Sequence, residues 1–323
     1  MTDARVPVVY LGSGGFGRPA LERLAAHPAV RIVGVVTAPP RPAGRHGPVT
    51  PTVIGELARA LGLGPVLTPE RLRAVDAIGA VLALKPALVV LADYGQIVPA
   101  ALLGLSHGAL NLHPSLLPRH RGATPIPAAI LAGDTETGVT MMRMDAGFDT
   151  GPIVAQERVA LDGTETTPAL EHALAHVAAD LLRDSLGPWL AGSLVVTPQA
   201  EASATRTRPL RREDGRLDPQ LSAAALERQV RALQPWPGSF VETVLGRLVI
   251  WAASAEDGDT AQGTGETAEV GPRVGVIDGG GLVTLDGRLR LHEVQPAGGR
   301  RMPWDAYVRG RPAIVGSAVV SDQ

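Results

Sequence analysis

The sequence contains no cysteine. That excludes a disulfide scaffold, a thiolate metal site and a cysteine nucleophile. Of its 30 Lys and Arg residues only Lys85 is a lysine, which we read as compositional bias rather than function. No uninterrupted apolar run approaches the roughly 20 residues of a membrane helix. The start, Met1 to Arg5, leads straight into a strand-like run and lacks the layout of a signal peptide. A soluble, cytoplasmic protein is therefore expected. An excess of charge of one sign is also missing. Thirty basic residues meet 32 acidic ones, for a net charge of −2 and a pI near 6.5, and that total by itself names no polyanionic partner. What is present is a chain of 323 residues, 45% hydrophobic, with a mean hydropathy of +0.13. Such a chain can bury a core, and at about 100–200 residues per domain it predicts two domains.

The first 160 residues alternate short apolar runs with helix-like segments. Val6–Leu11, Arg31–Thr37, Ala87–Ala92, Ala109–Leu112 and Gly138–Met144 read as strands. Pro19–His27, Thr52–Leu63 and Thr124–Ala132 read as helices. Unbroken apolar strands alternating with helices predict an α/β fold with a mostly parallel, Rossmann-like sheet covered on both faces. A long helix follows over Thr167–Leu190, with Thr167 as the expected N-cap and Pro168 in the first turn. Glu201–Asp218 is polar and Arg-rich and reads as a linker. Beyond it come a helix over Ser222–Leu233 and glycine-broken strands at Val244–Ala252, Val274–Ile277, Leu282–Thr284 and Arg288–Glu293. They predict a small β-barrel. The expected boundaries are 1–205 for the α/β domain and 206–323 for the barrel domain. Ser254–Val270 is acidic, of low complexity, and reads as a solvated loop.

Gly12-Ser13-Gly14-Gly15-Phe16-Gly17 matches G-x-G-x-x-G between a strand and a helix. In a dinucleotide fold such glycines admit a pyrophosphate to the helix N-terminus. The acid that should close the next strand is missing, since Arg31–Ala38 holds no Asp or Glu. The turn is thus expected to serve packing or to touch another substrate.

The strongest constellation is Asn111-Leu112-His113-Pro114-Ser115-Leu116-Leu117-Pro118-Arg119-His120-Arg121-Gly122-Ala123, directly after a strand. Asn111 and His113 are two apart and share one face of an extended chain. Downstream, Asp145-Ala146-Gly147-Phe148-Asp149-Thr150-Gly151-Pro152 is expected to supply a carboxylate at the same sheet end. An amide, an imidazole and a carboxylate in one cleft suit acyl transfer to a nucleophile carried by a substrate. Zinc held by His107, His113 and His120 would be the other use of these histidines. It is disfavoured because their spacing is not that of a metal site.

Asn111–Gly122 resembles the Asn-x-His-Pro-Ser-Leu-Leu-Pro signature of the 10-formyltetrahydrofolate-dependent formyltransferases, whose Rossmann-like domain binds folate and not NAD. Arg119–Ile126 is similar to the branch that formylates the α-amine of methionyl initiator tRNA for translation initiation. The resemblance covers nearly the whole chain and extends to an OB-like C-terminal domain, through Pro235-Trp236-Pro237-Gly238 and Gln295–Met302. It implies catalytic roles for Asn111 and His113, which would stabilise the tetrahedral intermediate, and for Asp149, which would support His113 and move a proton. It implies folate contacts from Tyr94, Gly95, Gln96, Ile97 and Val98, from Ser115, Leu116, Leu117 and Pro118, and from Met144, Asp145, Ala146, Gly147 and Phe148. Gly12, Ser13, Gly14 and Gly15 would face the methionyl end. The donor would be 10-formyltetrahydrofolate, with no metal and no membrane, and the protein a monomer. A sugar-nucleotide N-formyltransferase shares the catalytic trio and is the alternative.

Arg41-Pro42-Ala43-Gly44-Arg45 looks like that branch's tRNA-acceptor loop, with Arg45 as its wedge, although Pro40 and His46-Gly47-Pro48 replace the usual acid and Gly-Lys-Lys. The tRNA reading also draws on charge in the C-terminal part. From Arg206 onward 15 arginines face 15 acids, five of which lie between 256 and 269, leaving an excess of five positive charges elsewhere. Arg206, Arg208 and Arg211, then Arg300 and Arg301, form candidate phosphate contacts.

Overall fold

A computed structural model of the chain describes residues 4–42, 47–256 and 273–320. Along the first part, β1 (Val6–Leu11) leads through a short 3-10 turn into α1 (Arg18–Ala26) and β2 (Val30–Val36). The two-residue strands β3 (Arg41–Pro42) and β4 (Val49–Thr50) pair with each other. Then come α2 (Val53–Ala60), β5 (Val66–Leu67), α3 (Val75–Ala83), β6 (Leu88–Leu91), α4 (Ala100–Leu103), β7 (Ala109–His113) and β8 (Arg121–Gly122). They are followed by α5 (Pro125–Ala132), β9 (Glu136–Arg143), β10 (Ile153–Ala160), α6 (Thr167–Leu190) and β11 (Arg206–Thr207).

Seven of these strands form one sheet in the order β10-β9-β7-β6-β1-β2-β5. The pairs from β7 to β5 are parallel, and β9 and β10 are antiparallel. The central strands are apolar and buried throughout, Val8 to Leu11 and Leu88 to Val90 among them, because helices cover both faces of a parallel sheet. The mostly parallel sheet expected from the sequence is therefore present. The strand β10, with its polar Gln156-Glu157-Arg158, was not expected. An antiparallel edge strand need not be apolar on both faces, so its sequence carries little signal.

Helix ends follow local chemistry. The Thr52 hydroxyl caps α2 by accepting from Gly55 N at 3.0 Å. Thr167 is not the N-cap of α6: it is already helical, and its hydroxyl donates to the Ala232 carbonyl at 2.6 Å. At the end of α3, Lys85 takes a left-handed conformation (φ 52), the turn geometry that usually ends a helix at glycine or asparagine.

The chain clusters into two compact units. One comprises Met1–Pro125, Thr135–Leu161 and Ala169–Arg208; the other comprises Ile126–Asp134, Asp162–Pro168 and Pro209–Gln323. The second unit contains α7 (Ala223–Ala232), β12 (Ser239–Thr243), β13 (Gly246–Glu256), β14 (Gly281–Val283), β15 (Arg288–Pro296), β16 (Met302–Pro303) and α8 (Trp304–Gly310). Its sheet is antiparallel, in the order β12-β13-β15-β14, with β16 on β15. Leu226 and Val230 of α7 and Trp304 and Tyr307 of α8 pack into one core with Leu248, Ile250, Leu289 and Val294. Two expected strands differ. Val244 and Leu245 form the exposed turn before β13 rather than its start, and Val274–Ile277 makes only isolated bridges, from Val276 to Ala318 and from Ile277 to Leu282. Most of the acidic stretch, 257–270, lies outside the described residues.

Candidate active site

The strand order reverses at β1. The chain steps from β1 to β2 on one side and resumes with β6 on the other. Open α/β sheets bind ligands in the crevice beyond the carboxyl ends of the strands at such a switch point. Three segments leave the sheet there: the Gly12–Gly17 turn after β1, Ala92–Val98 after β6, and Pro114–Gly122 after β7.

On β7, Asn111 and His113 lie on one face and are 7% and 4% exposed. No protein hydrogen bond to the Asn111 side chain occurs among the described residues, so its carboxamide is free for a ligand. His113 Nε2 donates to the His120 carbonyl at 3.0 Å, which fixes the ring. Its Nδ1 stands 3.8 Å from Asp149 Oδ2. Burial lowers the His113 pKa below its usual 6.5, and the Asp149 charge and the His120 carbonyl oppose that shift. The ring is therefore neutral at pH 7, with its proton on Nε2 and a bare Nδ1 toward Asp149.

Asp149 reaches His113 by an unexpected route. Because β9 is antiparallel to β7, Arg143 lies level with Leu110 and Thr140 with His113. The Met144–Asp149 loop thus leaves at the wrong end of β7 and must fold back. Asp145 Oδ1 accepts from Gly147 N at 2.9 Å and from Thr150 Oγ1 at 2.8 Å, which tightens the bend. A Cβ at Gly151 would collide with the Arg143 carbonyl, so this close approach of backbones needs glycine. Gln199 Nε2 donates to the carbonyls of Asp149 and Gly151, and Asp149 itself sits at φ 54. Its Oδ2 accepts from Gly122 N at 2.8 Å.

Several residues brace this arrangement without having stood out in the sequence. Thr140 Oγ1 donates to the Ser115 carbonyl and accepts from Leu117 N and Gln156 Nε2. Arg121, only 2% exposed, binds Gln199 through Nε and Glu201 through NH1. Their partners come from the turn after β7, from β10 and from the segment after α6, and nothing local in the sequence announces such long-range bonds. Ser115 and Leu117 are buried into this brace, while Leu116 and Pro118 remain half-buried.

The backbone groups of Tyr94, Gly95, Gln96, Ile97 and Val98 make no hydrogen bonds among the described residues. Ile97 is 67% exposed and Phe148 65% exposed. Unpaired peptide edges beside exposed apolar side chains suit a flat heterocycle such as a pterin. The Gln96 side chain, by contrast, is turned inward. It accepts from Leu72 N at 2.7 Å and donates to the Pro69 carbonyl at 3.1 Å. Burial pushes the Tyr94 phenol up to about 12.

The glycine turn is not built for a pyrophosphate. The Asp93 carboxylate occupies the space where a Cβ at Gly14 would sit, and Glu171 approaches Gly15 from α6. Desolvation raises both carboxyl pKa values, and for Glu171 the Asp93 charge adds to it. Two acids at the turn repel a dianion. The Ser13 hydroxyl is engaged, accepting from Ala38 N at 3.1 Å. Ser13, Arg41 and Tyr94–Ile97 line a cavity of about 490 Å³ together with Glu70, Arg71, Arg73 and Asp93. Asn111, His113 and Asp149 are not among its lining residues.

Of the arginines singled out in the sequence, Arg45 lies outside the described residues. Arg206 and Arg208 belong to the first unit, and Arg211, Arg300 and Arg301 to the second. Arg301 lies 3.4 Å over the Trp251 ring, and Arg206 and Arg211 have loose 3.8 Å ion pairs with Glu201 and Glu213. No group of three or more His, Cys, Asp or Glu that could hold a metal occurs among the described residues. No helix among them is long and apolar enough to cross a membrane.

Residues 4–186 match the formyl transferase family, and residues 209–312 match the formyl transferase C-terminal domain. A methionyl-tRNA formyltransferase from Roseiflexus sp. (strain RS-1) is 41% identical over 94% of this chain and 92% of its own length. One from Halorhodospira halophila is 40% identical over 97% and 98%. Among solved structures, a methionyl-tRNA formyltransferase from Clostridium thermocellum shares the fold with a TM-score of 0.53 at 16% identity, covering 78% of this chain and 94% of that one. HypX from Aquifex aeolicus in complex with tetrahydrofolic acid does so with a TM-score of 0.58 at 16% identity, over 93% and 46%. With its catalytic-domain match, its C-terminal match and relatives about 40% identical along nearly its whole length, the chain belongs to the formyltransferase family.

Proposed function

We propose that this protein is a methionyl-tRNA formyltransferase, which moves the formyl group of 10-formyltetrahydrofolate to the free α-amine of methionyl initiator tRNA. The product, N-formylmethionyl-tRNA, serves translation initiation. The observation that carries the reading is His113 Nδ1 facing Asp149 Oδ2 at 3.8 Å beside the free amide of Asn111, in a chain 41% identical to curated enzymes of that activity.

The chemistry needs an oxyanion donor and a proton path. We assign the first to the Asn111 carboxamide, joined by His113 only after its Nδ1 has taken a proton, because the Nε2–H is already given to the His120 carbonyl. The attacking amine must lose a proton and N10 must gain one as the C–N10 bond breaks. His113 is held by Nε2 and kept neutral by burial, so Nδ1 is its atom able to take that proton. Asp149 then faces the imidazolium and stabilises it until the proton passes on. This sequence of steps requires no metal ion. Tyr94–Val98 and Met144–Phe148 hold the pterin, with Leu116 and Pro118 as its apolar neighbours, and the Gly12–Gly15 turn faces the methionyl end. Arg41, Arg45, Arg206, Arg208, Arg211, Arg300 and Arg301 contact tRNA phosphates.

Residues 1–205 are taken as the catalytic domain and 206–323 as the tRNA-binding domain. We read the C-terminal sheet as an OB-like barrel, supported by the irregularities between Ile250 and Ala253, since bulges coil a strand toward closure. We further take the protein to act as a cytoplasmic monomer. The test is incubation with 10-formyltetrahydrofolate and either methionyl initiator tRNA or an amino-sugar nucleotide, with detection of the formylated product. Formyl-methionine recovered from the tRNA supports the reading; formylation of the sugar alone replaces it with the sugar-nucleotide alternative.

A further inference from the structure

The cavity at the switch point contains three arginines, of which only Arg41 was singled out as a tRNA contact. Arg71 and Arg73 flank Leu72, which is fully buried and whose backbone N–H is held by the Gln96 side chain. The segment that carries them is thus fastened to the Tyr94–Val98 loop, and both arginines are placed by that anchor. Many arginines of this protein are satisfied by carboxylates: Arg121 by Glu201, Arg231 by Glu227, Arg247 by Glu242. Arg41, Arg71 and Arg73 have no ion pair among the described residues, although Glu70 and Asp93 line the same cavity. Exposed guanidinium groups without an ion pair among the described residues, gathered around a cavity of about 490 Å³, make a place for phosphate.

The acids narrow the choice of ligand. Asp93 lies against Gly14, on the side of the cavity made by the glycine turn. A purely anionic chain, such as the glutamate tail of a folate, would be repelled by Asp93 and Glu70. A ligand with phosphates at one end and an ammonium at the other meets complementary charge at both. The 3′ end of an aminoacylated tRNA has that distribution.

Resting on the function proposed above, we infer that Arg71 and Arg73 are specificity-determining residues that bind the 3′-terminal phosphates of the acceptor, with Asp93 receiving the ammonium of the aminoacyl group. An amino-sugar nucleotide, with its diphosphate and its amine, carries the same charge distribution, so the measurement of tRNA binding is what separates the two.

The experiment uses the full chain and the variants Arg71→Ala, Arg73→Ala and Arg71→Lys, with thermal unfolding to verify that each folds. Binding of methionyl initiator tRNA is measured against salt, and KM is measured for mono- and oligoglutamylated 10-formyltetrahydrofolate. Each alanine variant is expected to weaken tRNA binding by roughly tenfold and to lower the slope of log Kd against log salt by about 1, as loss of one phosphate contact does. The KM for both donors should stay unchanged, and Arg71→Lys should keep the salt slope while losing part of the affinity. A raised KM for the oligoglutamylated donor with unchanged tRNA binding overturns the inference in favour of the folate tail. Variants matching the unaltered protein in all measurements overturn it outright. If the unaltered protein forms no formylmethionyl-tRNA, the functional reading fails and this one with it; if it does, a failure here concerns Arg71 and Arg73 alone.

Discussion

At the scale of single residues, the proposed chemistry concentrates on three side chains and one proton. Replacing Asn111 with alanine is expected to lower kcat by roughly 10²–10³-fold, the usual effect of removing a donor to a developing oxyanion, and His113→Ala by about 10²–10⁴-fold, the usual effect of removing a general base, while folding and the KM for folate hold. Steady-state kinetics with both substrates checks this, and near-normal kcat in either variant would refute the assignment. His113 also makes stability depend on pH. Its folded pKa lies below the ordinary 6.5, so on acidification the unfolded chain takes up a proton that the folded one refuses. Stability should therefore fall as pH drops through about 6.5 and level off below the folded value. Urea unfolding at pH 7.5 and 5.5 measures the loss, which should shrink in His113→Gln. Asn111 and His113 were legible in the sequence because the two-residue period of a strand puts them on one face. Asp149 was legible only by resemblance. Its placement rests on the fold-back of its loop and on Gln199, fifty positions away, and no local pattern encodes either.

At the scale of elements, the turn after β7 is held by one hydroxyl. Thr140 Oγ1 serves the Ser115 carbonyl, Leu117 N and Gln156 Nε2 at once. Thr140→Val keeps the shape and leaves these buried groups unsatisfied, so a loss of about 2–3 kcal/mol is expected in equilibrium unfolding, with kcat reduced because the His113–His120 contact belongs to the same turn. A loss below half a kcal/mol would show that water replaces the hydroxyl. Gly122 makes a second test. It sits at φ 116, its Cβ would strike the Thr207 carbonyl across the β8–β11 pair, and its N–H anchors Asp149. Gly122→Ala should lower kcat at least tenfold while tRNA binding is retained, as measured by single-turnover formylation and filter binding. The helices and parallel strands could be read from apolar periodicity. The direction of β9 could not, since a strand's side-chain pattern is the same whichever way it runs, and that direction sets the route by which Asp149 reaches His113.

At the scale of the whole molecule, a net charge of −2 gives little long-range pull on a polyanion, so affinity for tRNA must come from local clusters and weaken steeply with salt. Within the C-terminal unit the clusters are not equivalent. Arg301 is stacked on Trp251 and also faces Glu293 at 3.9 Å, while Arg300 has no such partner among the described residues. Arg300→Ala is expected to weaken tRNA binding without changing thermal stability. Arg301→Ala should lower stability by about 0.5–1 kcal/mol, the worth of an exposed cation–π contact; equal effects of the two on stability would contradict this. Composition has one further consequence. Lys85 ends α3 just before β6, and β6 runs from there toward Asp93 at the site. The only side-chain amine thus marks the end of the sheet opposite the proposed cleft. Amine-directed coupling through Lys85 to a sensor surface would orient the molecules with their clefts toward solution, and a fluorophore placed there would report on tumbling without touching the chemistry.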